Sequence, residues 1–135
     1  MGNFYRQVYA NQEQETYTDN ATLTDGDSFK DHNVATDAKV ITLPAITASN
    51  IGNSFTFRNT GADGNNTLTI SPASTDAIHG TIANAAADSV ASGVVNKDLV
   101  NTKATSNKGD YVTITAVSLT AWYVTGGVGI WASEA

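Results

Sequence analysis

His32 and His79 are the only imidazoles in the 135-residue chain, and a hydrolase or zinc enzyme would be expected to use one of them. Neither lies in a His-x-x-x-His pair, and no serine sits on a Gly-x-Ser-x-Gly elbow. The templates for metal-assisted hydrolysis and acyl transfer therefore do not apply, and each histidine reads as a surface or loop residue. Asp25, Asp27 and Asp31, with Asp37 close behind, are hard oxygen ligands at near-alternate positions, the kind calcium takes. The glycine of an EF-hand turn and its closing bidentate glutamate are both lacking. Asp25-Gly26-Asp27 is ordinary turn chemistry, and no metal is expected there. Gly126, Gly127 and Gly129 would suit a phosphate cradle, but no Gly-Lys-Ser/Thr follows and no helix is expected after them. They read as a sheet corner.

Trp122, Tyr123, Trp131 and Tyr111 are of the type that stacks on sugar rings. If Trp122 and Val124 share a face, Trp122 belongs to the core and Tyr123 is the exposed member. Two sequons, Asn20-Ala21-Thr22 and Asn65-Asn66-Thr67, matter only on a eukaryotic secretory route. Residues 1–10 lack the apolar core of a signal peptide, so both sequons read as accidents of an Asn/Thr-rich chain. Cysteine is absent, which removes disulfides, thiolate nucleophiles and cysteine-held zinc. No catalytic residue and no cofactor is assigned.

Charge excludes two further classes of partner. Seven Lys+Arg stand against thirteen Asp+Glu, a net charge of -6, which repels phosphate backbones and anionic lipid. Neither nucleic acid nor membrane is expected as a partner, and no stretch reaches the roughly 18 apolar residues of a spanning helix. Val, Ile, Leu and Phe together number only 28 of 135 residues. A lone domain of this make-up has a thin core, so further burial by self-association is expected.

Thr, Ser, Asn, Gly and Val dominate over the helix formers, which implies an all-β chain. Residues 1–20 read as an extended N-terminal arm, polar yet carrying Phe4, Tyr5, Tyr9 and Tyr17. Aromatics in a solvated arm need something to bury against, either the arm's own domain or a neighbour. Residues 21–135 read as one β-domain. Strands are expected near 21–24, 29–34 and 39–43, the last with Ile41 and Leu43 inward and ended by Pro44. Residues 54–59 place Phe55 and Phe57 on one face, and 67–71 do the same with Leu68 and Ile70. The turn-rich stretch 60–66 between them predicts an antiparallel hairpin. Short strands near 78–82 and 90–95 follow, then 111–117 with Val112, Ile114 and Ala116 inward, 122–125, and 129–132 with Trp131. Eight to ten such strands suffice for an antiparallel β-sandwich, jelly-roll-like.

The stretches Val40-Ile41-Thr42-Leu43-Pro44-Ala45, Asn50-Ile51-Gly52-Asn53-Ser54-Phe55-Thr56-Phe57-Arg58-Asn59-Thr60-Gly61, Asn66-Thr67-Leu68-Thr69-Ile70-Ser71-Pro72-Ala73, Ile78-His79-Gly80, Tyr111-Val112-Thr113-Ile114 and Ala121-Trp122-Tyr123-Val124 resemble a β-module of tailed-phage virion proteins. That module occurs in capsid decoration (cement) proteins, head fibres and tail-fibre tips, and the resemblance spans about residues 22–124. It implies a homotrimeric sandwich on the outer surface of a viral capsid, with the major capsid protein as partner. A tail fibre needs a shaft or attachment domain as well, for which 135 residues leave no room, so a free-standing cap is the expectation. The alternative within the resemblance is a receptor- or glycan-binding tip of a fibre or spike. For a cap, three weak feet give avidity without new contact types. Phe4, Tyr5, Arg6 and Tyr9 of the arm are the expected capsid-binding residues, because aromatic and Arg side chains anchor interfaces.

Overall fold

The computed structural model describes residues 12–134. Among these residues twelve strands form two sheets. In chain order they are β1 Gln14–Tyr17, β2 Ala21–Thr22, β3 Asp31–Val34, β4 Lys39–Thr42, β5 Ser54–Asn59, β6 Leu68–Ser71, β7 Ala77–Ile82, β8 Ser89–Ser92, β9 Leu99–Asn101, β10 Tyr111–Ser118, β11 Ala121–Val128 and β12 Ala132–Ser133. The larger sheet has the order β1-β3-β5-β10-β11-β7-β8 and the smaller β12-β9-β6-β4-β2. The protein is thus an all-β sandwich, as the period-two alternation requires.

Its sheets are mixed rather than antiparallel, and the reason lies in how the first half is wound. From β1 to β6 successive strands alternate between the two sheets. Every second strand then runs the same way, so β1, β3 and β5 pair in parallel in one sheet and β2, β4 and β6 do so in the other. This is a flattened coil of three turns, a departure from a jelly roll, whose neighbouring strands are antiparallel. The second half inserts antiparallel pairs, β5–β10, β10–β11, β7–β8, β6–β9 and β9–β12.

The expected hairpin of residues 54–59 with 67–71 does not form. β5 pairs with β3 and β10, whereas β6 lies in the opposite sheet between β4 and β9. Both strands do bury the residues that alternation assigns, Phe55 and Phe57 on β5 and Leu68 and Ile70 on β6. Burying both rows is better satisfied across the sandwich than side by side, and the 60–67 connection is long enough to cross the roughly 10 Å between packed sheets.

The core is filled by Phe55, Phe57, Trp122, Ile41, Leu43, Leu68, Ile70, Ile82, Leu99 and Ile114. Phe55 meets Trp122 edge-on with ring centroids 5.6 Å apart. The seam beside β8 and β12 is closed by serines. The Ser92 amide donates to Ser133 Oγ at 2.7 Å and the Trp131 amide to Ser89 Oγ at 2.9 Å. Thr125 is the extra residue of a bulge, because Thr113 faces Gly126 while Ile114 faces Val124. The next glycine, Gly127, is needed for close approach, since a Cβ there would sit 2.9 Å from the Tyr111 carbonyl oxygen.

The 20/21 boundary read from composition does not mark the start of the sheet. β1 lies inside the segment set apart as an arm and pairs residue for residue with β3, Gln14 with Asp31 through Tyr17 with Val34. For Tyr17 the own-domain reading of the arm aromatics holds, as it packs against the core.

Candidate functional site

Phe4, Tyr5, Arg6 and Tyr9 lie outside the described residues. What is placed is the point where the segment carrying them joins the domain. The Asp31 amide donates to the Glu13 carbonyl at 2.9 Å, the Gln12 side-chain amide donates to the Phe29 carbonyl, and Lys30 Nζ lies 3.0 Å from Glu13 Oε2. The bond to Glu13 raises the Lys30 pKa above the ordinary value, against an opposing effect of burial. The chain therefore enters beside Phe29, at the end of the large sheet where β3 and β5 begin.

That end carries an exposed apolar rim. The strand directions place there the starts of β3, β5, β11 and β7 and the ends of β10 and β8. Phe29 precedes β3 and its amide donates to the Ser54 carbonyl at 2.6 Å. Ile51 precedes β5 in a loop laced to β10 by Gly52 N–H to Ala116 O at 2.8 Å and Ala116 N–H to Asn53 O at 3.0 Å. Val117 and Leu119 lie at the β10–β11 turn. Val94 and Val95 follow β8, where the Gly93 amide donates to the Ile78 carbonyl at 2.9 Å. These six side chains are between 44 % and 60 % exposed.

Phe29 also has φ +62°. A bulky non-glycine residue in the left-handed region is strained, and a mostly exposed ring offsets little of that by burial within this domain. Strain of this kind clusters where function requires it.

The loops behind the rim are held by two buried polar residues. Asn50 donates from Nδ2 to Asp25 Oδ1 at 3.0 Å and to the Ala45 carbonyl at 2.9 Å, and its Oδ1 accepts from the Thr47 amide at 2.8 Å. Asp76 accepts from the Ile46 amide at 3.0 Å, and its own carbonyl accepts from the Asn96 amide at 2.9 Å. Satisfied buried polar groups rigidify what they join, so the rim is preformed.

The outer face of the large sheet is polar. Thr56 and Thr113 share a hydroxyl hydrogen bond at 2.8 Å, and Arg58 reaches Asp31 Oδ2 at 3.1 Å while its guanidinium lies 5.3 Å from the centre of the Tyr111 ring. Of the four aromatics of stacking type, Trp122 and Trp131 are buried, Tyr111 is half-buried beside Arg58, and Tyr123 is exposed. Tyr123 stacks on His79 with centroids 5.1 Å apart and planes 15° from parallel.

The surface-histidine reading fails for His32, which is fully buried. It shares the inward parity of Val34 on β3. Its Nδ1 meets the Tyr17 hydroxyl at 2.8 Å and its Nε2 the Asp27 carbonyl at 2.9 Å. Burial depresses the imidazole pKa, and the neighbouring Asp27 offsets part of that shift. His79 is half-buried on β7, stacked as above, rather than in a loop.

The four aspartates are each engaged separately. Asp25 accepts from Asn50, Asp27 from the Thr24 amide, Asp31 from Arg58 and Gln14, and Asp37 from Lys103 and the Thr67 amide. The Lys103 bond holds the Asp37 carboxyl below its ordinary pKa. Among the described residues no group of three His, Asp or Glu is disposed to hold a metal, and no pocket opens in the surface.

At the opposite end of the sandwich the interior is polar, which the sequence reading missed. Asn59 Nδ2 donates to Asn101 Oδ1 at 2.7 Å and to the Asn66 carbonyl at 3.2 Å, and Asn101 Nδ2 donates to Asp110 Oδ2 and to the Ile130 carbonyl, each at 3.1 Å. Gly61 sits against the buried Asn66 amide, where any Cβ would overlap it. The signal available was weak: Asn59 and Asn101 sit at inward parity on β5 and β9.

No family model matches the chain, and no curated protein matches it significantly.

Proposed function

We propose that the protein is a structural virion component, a capsid decoration protein that sits on the outer surface of a phage head and bridges major capsid protein subunits. The observation that carries this reading is the convergence of the apolar rim and the point where the N-terminal segment joins the domain. A cap on a preformed lattice needs one rigid face that sheds water on contact and a segment that reaches beyond it. The rim supplies the face, and the segment with Phe4, Tyr5, Arg6 and Tyr9 supplies the reach. Exposed apolar patches of this kind mark interaction sites.

Homotrimeric assembly completes the proposal. The rim is modest, and three copies of it, linked through one trimer, gain affinity by effective concentration rather than by stronger single contacts. Adding purified protein to heads stripped of decoration tests the reading. Saturable binding and a raised temperature of DNA release support it, and heads unchanged at micromolar protein oppose it.

The exposed Tyr123–His79 stack favours a second reading, a glycan- or receptor-binding tip. An aromatic face beside a polar, hydroxyl-rich sheet is suited to a sugar ring. A glycan array decides between them, since a decoration protein gives no hits.

A further inference from the structure

The segment that carries the proposed capsid-binding residues is attached through β1, a short edge strand of the large sheet. It is four residues long, and among the described residues it pairs with β3 alone. Its one side chain packed on the core is Tyr17, whose hydroxyl ends on the buried His32 ring.

Hydrogen-bond chemistry fixes the tautomer of the neutral ring. The Asp27 carbonyl is only an acceptor, so Nε2 carries the hydrogen. In the neutral ring Nδ1 is then an acceptor, and the Tyr17 O–H donates to it. A second proton must go to Nδ1, turning acceptor into donor against a hydroxyl that has to swing its own hydrogen away. The resulting cation would be enclosed. Its neighbours from β5 are the uncharged rings of Phe55 and Phe57, at 5.8 and 5.4 Å. From β1 they are Tyr17 and, two residues before it, Glu15, which faces His32 in the strand register. The turn before β3 contributes Asp27, whose carboxylate is engaged by the Thr24 amide at 2.8 Å, and β3 itself is preceded by Lys30. No carboxylate hydrogen-bonds the ring among the described residues.

We propose that His32 is an acid-sensitive pin, and that its protonation releases β1, and with it the N-terminal segment, from an otherwise intact sandwich. The imidazolium needs water, and the route that disturbs least is displacement of Tyr17 with its short edge strand. The other walls are the core rings of Phe55 and Phe57 and the Asp25–Asp27 turn, whose Asp27 carbonyl still accepts from Nε2 when the ring is a cation. Local opening of weakly held elements ahead of global unfolding is ordinary protein behaviour. Burial of the ring places the release below pH 6.5, the unperturbed value for histidine. The inference does not depend on what the segment binds, so it stands or falls separately from the decoration reading.

The test is a pH titration of the full chain by NMR from pH 8 to 5, following the His32 ring and the backbone amides of residues 14–17, 54–59 and 111–118. The expected result is loss of the dispersed β1 signals in step with His32 titration, while the β5 and β10 signals stay in place. Tyr17→Phe removes the donor that favours the neutral ring, so release should move to higher pH. His32→Phe, if it folds, should hold β1 independent of pH over the same range. Two results overturn the proposal: His32 titrating with β1 unmoved, or β1 and β10 signals disappearing together.

Discussion

Asn59 on β5 and Asn101 on β9 hydrogen-bond across the sandwich at 2.7 Å, joining the two sheets at the end opposite the apolar rim. Both side chains are buried, and through Asp110 and the Asn66 and Ile130 carbonyls they fix the crossing of the chain between sheets. The molecule thus has one end crossed by internal polar bonds, with the apolar rim at the other. Fold and proposed function divide along that axis.

Asn101→Ala leaves Asn59 and Asp110 short of a buried partner. Each polar group so orphaned costs about 1–3 kcal/mol, so the urea midpoint should fall substantially with the slope unchanged. A midpoint within experimental scatter of wild type would show that water replaces the amide at no cost.

Phe57→Ala should destabilise by about 3–5 kcal/mol, the range for a fully buried phenyl ring, and Phe57 is fully buried. Equilibrium unfolding measures it. A loss below about 1 kcal/mol is what a surface substitution gives and would mean that the faces of β5 are reversed.

Stability should fall on both sides of neutrality, for reasons that meet at one hydrogen bond. The His32 pKa is depressed in the folded protein, so its contribution is complete above the unfolded value of about 6.5 and declines as pH falls below it, where the unfolded state takes up the proton first. The Tyr17 phenol is pushed up to about 12 by burial and by the nearby Asp27 and Glu15. Its contribution is complete below about pH 10, the unperturbed phenol value, and declines from there toward 12. Urea midpoints from pH 5.5 to 11 in wild type and Tyr17→Phe check this, the variant losing the alkaline decline.

Phe29→Gly should stabilise the free domain by about 0.5–1 kcal/mol, because relief of the left-handed strain exceeds the entropy glycine adds to the unfolded chain. The same change removes an exposed ring from the rim. A variant that is more stable yet binds heads less well is the signature of strain kept for docking, whereas lower stability would place the ring in an intramolecular role.

The faces of the strands were legible in the sequence and their partners were not. Alternation assigned Ile41, Phe55, Phe57, Leu68, Ile70, Val112, Ile114 and Trp122 to the interior, because period two depends only on the local backbone. Which strand lies beside which depends on the sheet each joins. The hairpin signal at 60–66 could not distinguish a turn within one sheet from a crossing between two. β9 escaped because it is three residues long and its second inward position is Asn101 rather than an apolar residue. β1 escaped because its only core contact is Tyr17 in a polar stretch, and His32 was misread although it alternates in phase with Val34. The rim had no sequence signature at all: Phe29, Ile51, Val94, Val117 and Leu119 converge only once β3, β5, β8, β10 and β11 have been laid in order.

The central claim is that the apolar end and the N-terminal segment together seat the domain on a phage head. Co-sedimentation with purified undecorated heads tests it most directly, comparing the full chain, a chain lacking residues 1–10, and Phe29→Ser/Leu119→Ser. All three should be folded trimers by circular dichroism and light scattering, with binding lost on deletion of the segment and weakened at least tenfold by the rim changes. Equal binding by all three, or a monomer that binds nothing, would contradict the account.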